Sequence, residues 1–215
     1  MPRTADPTDI PERLLAAGLE LFLKQGFNAT GIQQIADEAG VPKGSFYNHF
    51  TSKETFAVAI VDRYAERSQR SWERMMSGAP AEPMAAIRHV FAQMLAYHER
   101  AGLPAGCLIG NFAAEVTLSS DVCRQSLLTA QLAWRERLAG LIRAGQSIGE
   151  IRDDIDASSL SGLTWSVWEG ALLRMKVEGS AQPVREGIAL MLDHMYLPTT
   201  KNESKPLKTA RRSSR

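Results

Sequence analysis

The chain has 215 residues, 44% of them hydrophobic, and a formal net charge of +1. That length and apolar content suit one large or two small domains with a real core and exclude disorder of the whole, while the near-zero charge means that any pull toward nucleic acid must be local. Cys107 and Cys123 are too far apart for a CxxC motif and too few for a disulfide scaffold, which points to a reducing compartment. The opening "MPRTADPTDIPER" carries acids and no apolar core, unlike a signal peptide, and no uninterrupted apolar run reaches the roughly 18 residues that span a bilayer. A soluble cytoplasmic protein with no membrane partner is expected.

Helical periodicity covers nearly everything and no window alternates like a strand, so the expected class is all-α. From Ile10, the residues Leu14, Leu15, Gly18, Leu21 and Phe22 recur at three- and four-residue steps until Gly26, a plausible C-terminal cap. Thr30 with Gln33 fits a capping box for a second helix of two to three turns, with Ile32, Ile35, Ala36 and Ala39 as its apolar stripe and Gly40 as its stop. Val41 and Pro42 then turn the chain into "VPKGSFYNHF", and "TSKE" at Thr51 to Glu54 opens a longer helix with Phe56, Ile60, Val61 and Tyr64. These elements form a three-helix head. After Gly78 the stretch "GAPAEP" breaks the pattern. Five further helices are expected at Pro83–Arg100, Pro104–Leu118, Asp121–Ser147, Asp156–Val177 and Pro183–Tyr196. The domain division is a helix-turn-helix head at 8–54, a larger helical effector-binding and dimerisation body at 55–197, and a disordered basic tail at 198–215. The tail holds Lys201, Lys205, Lys208, Arg211, Arg212 and Arg215 against Glu203 alone; without these, the chain's 25 basic and 24 acidic side chains become 19 and 23.

In "VPKGSFYNHF", Phe46 and Phe50 share one face at i, i+4 spacing and must be held by a neighbour, since a helix this short is marginal alone. Gly44, Ser45, Asn48 and His49 fall on the far arc with Tyr47 at its border. This suits a recognition helix, anchored on one side and presenting short polar groups to base edges or phosphates on the other. Gly44 permits close approach to a duplex, Lys43 supplies positive potential, Lys53 is placed to clamp a second phosphate, and Gln33 is placed to reach an adenine edge or the backbone. By pattern alone the segment is equally an ordinary surface helix, and the first 53 residues set Arg3, Arg13, Lys24, Lys43 and Lys53 against six acids.

The run Arg13 to Phe56, "RLLAAGLELFLKQGFNATGIQQIADEAGVPKGSFYNHFTSKETF", resembles the DNA-binding domain of TetR-family transcriptional regulators. Gly26-Phe27, Thr30, Ile35-Ala36, Ala39-Gly40-Val41, Phe46-Tyr47, His49-Phe50 and Ser52-Lys53-Glu54 carry that resemblance. It implies an all-helical homodimer, joined through its last two helices, that represses transcription until a small molecule binds the body. It also implies that Gln33, Lys43, Gly44, Ser45, Tyr47, Asn48, His49 and Lys53 approach operator DNA. Tyr47, His49 and Lys53 would position phosphates, and Lys43, Ser45 and Asn48 would read bases. Independently, the largely apolar helix with Leu160, Leu163, Trp165, Val167, Trp168, Leu172 and Leu173, together with Ile188, Leu190, Met191, Leu192 and Met195, offers more surface than one body buries.

In "LPAGCLIGNFAAEV", Pro104 suits a first helical turn and would put Cys107 near the helix's positive end, with Asn111 and Glu115 on the same face. A polar face on an apolar helix suggests a cavity, for which Phe91, Met94, Tyr97, His98, Trp134, Trp165, Trp168 and Met175 are candidate walls. The plain alternative for Cys107 is a small buried hydrophobe. "AGCLIGNFAAEV" and "GALLRMKVEGSAQPV" resemble the NemR branch of the family, electrophile- and oxidant-responsive repressors with a sensing cysteine matching Cys107 and a lysine matching Lys176. The acrylate-responsive AcuR proteins share the style of "VPKGSFY". The resemblance implies a small organic effector, an electrophile among the candidates, with the Lys176 ammonium lowering the thiol pKa. Asn111 stands where NemR proteins have a lysine. His89, His98 and His194 lack zinc-ligand spacing, and no phosphate loop or serine elbow occurs, so neither metal nor cofactor is expected. The rival readings are an activator, a regulator with a non-covalent ligand, and an enzyme pairing Cys107 with His98.

Overall fold

A computed structural model of the chain describes residues 9–100 and 106–198. Among them the regular elements are all helical: α1 (Ile10–Gln25), α2 (Ile32–Glu38), α3 (Lys43–Tyr47), α4 (Lys53–Ser77), α5 (Pro83–Arg100), α6 (Leu108–Val116), α7 (Asp121–Ser147), α8 (Ala157–Glu178), α9 (Gln182–Leu190) and a π-helical turn at Met191–Met195. The expected basic tail from 199 and Pro104 lie outside the described residues. No described helix is long and apolar enough to cross a membrane.

The head is built by glycine stops and a phenylalanine cluster. Gly26 ends α1 at φ 84°, and its N–H donates to Phe22 O. At the end of α2, Gly40 takes φ 64°, Val41 N donates to Ala36 O at 2.9 Å and Gly40 N to Asp37 O at 3.0 Å. This paired closure satisfies the last α2 carbonyls and sets the turn into α3. Arg13 of α1 reinforces it by donating to the carbonyls of Ala39 and Gly40. The expected capping box at Thr30 and Gln33 does not form: the N-cap of α2 is Gly31, without a side-chain bond. Thr30 is instead buried and donates its hydroxyl back to Gly26 O at 2.7 Å, which ties off the α1–α2 loop. Gln33 turns to Asp37, 2.7 Å away.

Ser52 caps α4 through a reciprocal box with Thr55. The helix then runs unbroken from head to body, so residue 54 falls inside it, and its 25 residues span about 37 Å. Phe56, Ala57, Ile60 and Val61 are buried near its start and Trp72 further along. The body core is made by α5, α7 and α8, where Phe91 meets Trp168 at 5.7 Å and Trp134 meets Trp165 at 5.1 Å. Tyr196 closes the far end, fully buried, with its hydroxyl 2.7 Å from that of Thr164. The α6 helix is shorter than expected, and Cys107 is its N-cap residue rather than part of its first turn.

Candidate DNA interface and effector cleft

Phe46 is fully buried, with ring centroids 5.0 Å from Phe56 and 5.5 Å from Phe50, and Phe50 lies 4.8 Å from Phe56. The start of α4 therefore holds α3 by its apolar side. On the other side Lys43, Gly44, Tyr47, Asn48 and His49 are exposed and Ser45 is half-buried. A Cβ built on Gly44 would meet nothing, so packing within this chain does not demand glycine there. Gln33 is also exposed. Lys53 departs from the expected role: its Nζ donates to Phe27 O at 2.9 Å and Thr30 O at 3.0 Å and lies 4.1 Å from the centre of the Phe27 ring. Two of its three donors thus brace the α1–α2 loop, leaving at most one for a phosphate.

The sensing residues expected to share one pocket fall into two. A cleft of about 770 Å³ lies between the end of α1, α6 and α8, and Cys107, Asn111, Glu115 and Lys176 line it. A second cavity of about 600 Å³, between α4, α5 and α7, holds Met94, Tyr97, His98 and Trp134. Phe91 and Trp168 belong to neither; they are buried against one another. His98 meets Trp168 of α8 at 5.6 Å, and Tyr64, whose hydroxyl lies 3.8 Å from the Cys107 sulfur, also lines this second cavity. Burial pushes the His98 pKa below its ordinary 6.5.

Around Cys107 the electrostatics reverse the expected activation. Burial, with the Glu169 carboxylate beside it, pushes the thiol up to about 12. Lys176, whose ammonium donates to Asn111 Oδ1 at 2.6 Å, does not offset this. The sulfur accepts a hydrogen bond from Tyr64 Oη at 3.8 Å, and Glu169 lines the same cleft beside it. Burial also raises the Glu169 pKa, moderated by the neighbouring Cys107 thiol and the charge of Lys176. Two glycines make room for these groups: Lys176 passes over Gly106, which sits at φ 61°, and Glu169 lies against Gly110. Sequence reasoning missed Glu169. Its signal is an acid amid the apolar "SVWEGALL", seven residues and therefore two turns before Lys176 on the same helix face.

The far end of α6 reaches the head. Glu115 Oε2 accepts Asn28 N–H at 2.7 Å, and Phe112 packs 5.0 Å from Phe22 and 5.9 Å from Phe27. The helix capped by Cys107 thus ends on the same loop that Lys53 braces.

A clamped short helix with an exposed polar face, carried by a helical body with an internal cleft, defines a one-component transcription regulator. The chain belongs to the TetR family of DNA-binding regulators: residues 14–60 match the model for bacterial regulatory proteins of the tetR family, and residues 83–191 match the tetracyclin repressor-like C-terminal domain. It is 34% identical over 197 residues to the HTH-type transcriptional repressor DhaR of Mycobacterium sp. (strain GP1), covering 92% of this chain and 97% of the relative. It is 34% identical to the transcriptional regulator AcuR of Cereibacter sphaeroides, covering 85% of this chain and 86% of the relative. Among solved structures it resembles the reduced form of Escherichia coli NemR, with a TM-score of 0.78, 27% identity and coverage of 85% of this chain and 95% of that one.

Proposed function

We propose that this protein is a cytoplasmic, homodimeric repressor that leaves its operator when a small electrophile reacts in the Cys107 cleft. The clamp of Phe46 by Phe50 and Phe56 is the observation that carries the DNA half of this reading, since it turns Lys43, Ser45, Tyr47, Asn48 and His49 outward together. Tyr47 and His49 contact phosphates, Lys43, Ser45 and Asn48 reach base edges, and Gly44 and Gln33 lie close to the duplex. Lys53 acts mainly as a strut behind them.

One recognition helix spans only a few base pairs, and a two-fold dimer reads half-sites about 34–36 Å apart. Exposed apolar side chains on the last helices support that assembly: Leu163 is 39%, Leu173 64%, Val177 81% and Leu190 59% accessible. Half of the large residues expected there, including Leu160, Trp165, Trp168 and Leu172, are buried within the single chain, so the dimer surface is narrower than the sequence suggests.

The α6 helix supports the regulatory half, because a change at Cys107 is linked through Phe112 and Glu115 to the α1–α2 loop. The aromatic cavity containing Tyr97, His98 and Trp134 favours a second reading, in which a non-covalent organic ligand is the effector. A Cys107–His98 enzyme is not supported, since the two side chains line different cavities and the thiol is held far from ionisation.

The test is a fluorescence-anisotropy titration of the duplex upstream of this protein's own coding sequence, with and without methyl vinyl ketone, for the wild type and Cys107→Ser. The proposal expects both proteins to bind and only the wild type to be released. Equal release of both would exclude Cys107 as the switch, and release of both by an unreactive aromatic ligand instead would favour the second cavity.

A further inference from the structure

A buried thiol is a poor nucleophile unless its proton leaves as the new bond forms. Burial and the neighbouring Glu169 carboxylate hold the Cys107 thiol protonated at neutral pH, so a standing thiolate does not account for capture of an electrophile. The groups facing the sulfur offer another route. Tyr64 of α4 donates to it, Glu169 of α8 lines the cleft beside it, and Lys176 lies two turns along the same α8 face, over Gly106. Lys24 and Glu115 line the outer part of the same cleft. Glu169 Oε1 is buried and has no hydrogen-bond partner among the described residues, so this carboxylate keeps a basic oxygen that no interaction within the fold uses.

We infer that Glu169 is the proton acceptor that makes Cys107 reactive, and that the Lys176 ammonium receives the negative charge that develops on an α,β-unsaturated carbonyl bound in the cleft. The inference rests on the Cys107 reading above and gives that cleft its chemistry. Sulfur bonds to the β-carbon while its proton passes to Glu169 and the carbon–carbon π pair moves onto the carbonyl oxygen as an enolate. Lys176 holds that oxyanion, and Glu169 then returns the proton to the α-carbon. The product is a thioether and a saturated carbonyl, with no oxidant consumed. The same burial that raises the Glu169 pKa makes it a better base, provided that it is still ionised.

Labelling of Cys107 is followed by mass spectrometry of its peptide, with the full-length wild type, Glu169→Gln and Lys176→Met, each against methyl vinyl ketone and iodoacetamide from pH 6 to 9. The general-base role predicts that Glu169→Gln slows both reagents at pH 7 by about 100-fold. It also predicts that the wild-type rate is nearly flat with pH above neutrality, whereas the Glu169→Gln rate climbs about tenfold per unit because it requires preformed thiolate. If Glu169 only opposes ionisation, its removal lowers the thiol pKa and labelling becomes faster, which overturns the proposal. Lys176→Met should slow methyl vinyl ketone but not iodoacetamide, whose displacement reaction forms no enolate, and equal slowing of both would remove the oxyanion role. Failure of the regulatory reading looks different: Cys107 would be labelled as described, yet Cys107→Ser would still release DNA.

Discussion

Replacing Lys53 by Met separates two jobs for one ammonium. Methionine keeps most of the apolar stem and removes the charge, so packing against Phe27 persists while both carbonyl bonds disappear. Hydrogen bonds from a charged donor are worth about 1.5–3 kcal/mol each when buried. Lys53 is only half-buried and water replaces part of what is lost, so about 1 kcal/mol per bond is the appropriate scale. The cation over the Phe27 ring at 4.1 Å adds about 0.5 kcal/mol at such a site. A total near 2.5 kcal/mol shifts the melting temperature of a chain this size by about 5–10 °C. Urea unfolding without DNA measures that loss directly, and the salt dependence of operator binding measures the alternative. A strut predicts the stability loss with an unchanged salt slope. Unchanged stability with a slope reduced by about 0.9 per protomer would refute the strut and restore a phosphate contact.

Phe46→Ala should destabilise the protein by about 3–5 kcal/mol in urea unfolding, because it opens a void beside Phe50 and Phe56, and should abolish operator binding; Phe46→Leu should do less of both. His98 gives a pH signature. The unfolded chain takes up its proton near 6.5 while the folded site resists, so the stability associated with neutral His98 is complete above that pH and is lost as pH falls through 6.5 toward the lower folded value. Comparing unfolding of the wild type and His98→Asn at pH 7.5 and 5.5 should show a smaller acid loss in the variant. Glu115→Gln keeps an acceptor for Asn28 N–H but loses its charge, and it should leave Cys107 labelling intact while weakening the release of DNA that labelling causes.

Helix ends were legible wherever a residue acts locally. Pro83 and Asp121 begin α5 and α7, and Arg100 and Ser147 end them, at the positions read from the sequence. Gly26 and Gly40 stop α1 and α2 through positive φ angles that glycine adopts freely. The clamp on α3 was legible from the four-residue spacing of Phe46 and Phe50, although its partner Phe56 could be placed only by the fold. What depends on distant backbone was not legible. Thr30 signals a cap but spends its hydroxyl on Gly26 O, and Lys53 looks like a surface cation until the carbonyls of Phe27 and Thr30 are seen beneath it. The effector site suffered most. Periodicity places Cys107, Asn111 and Glu115 on one face, but it does not say that Glu169 stands beside the thiol or that Tyr97 and His98 open into another cavity.

The claim on which the regulatory account rests is that the outward side of α3 reads bases. The direct measurement is selection of bound sequences from a pool of random duplexes by the wild type and by Asn48→Ala at fixed salt. The account predicts a two-fold symmetric site for the wild type and relaxed preference at one position of each half-site for the variant, a discrimination loss of about 1–3 kcal/mol there. Identical preferences in both proteins, or no enrichment of any sequence by the wild type, would contradict it.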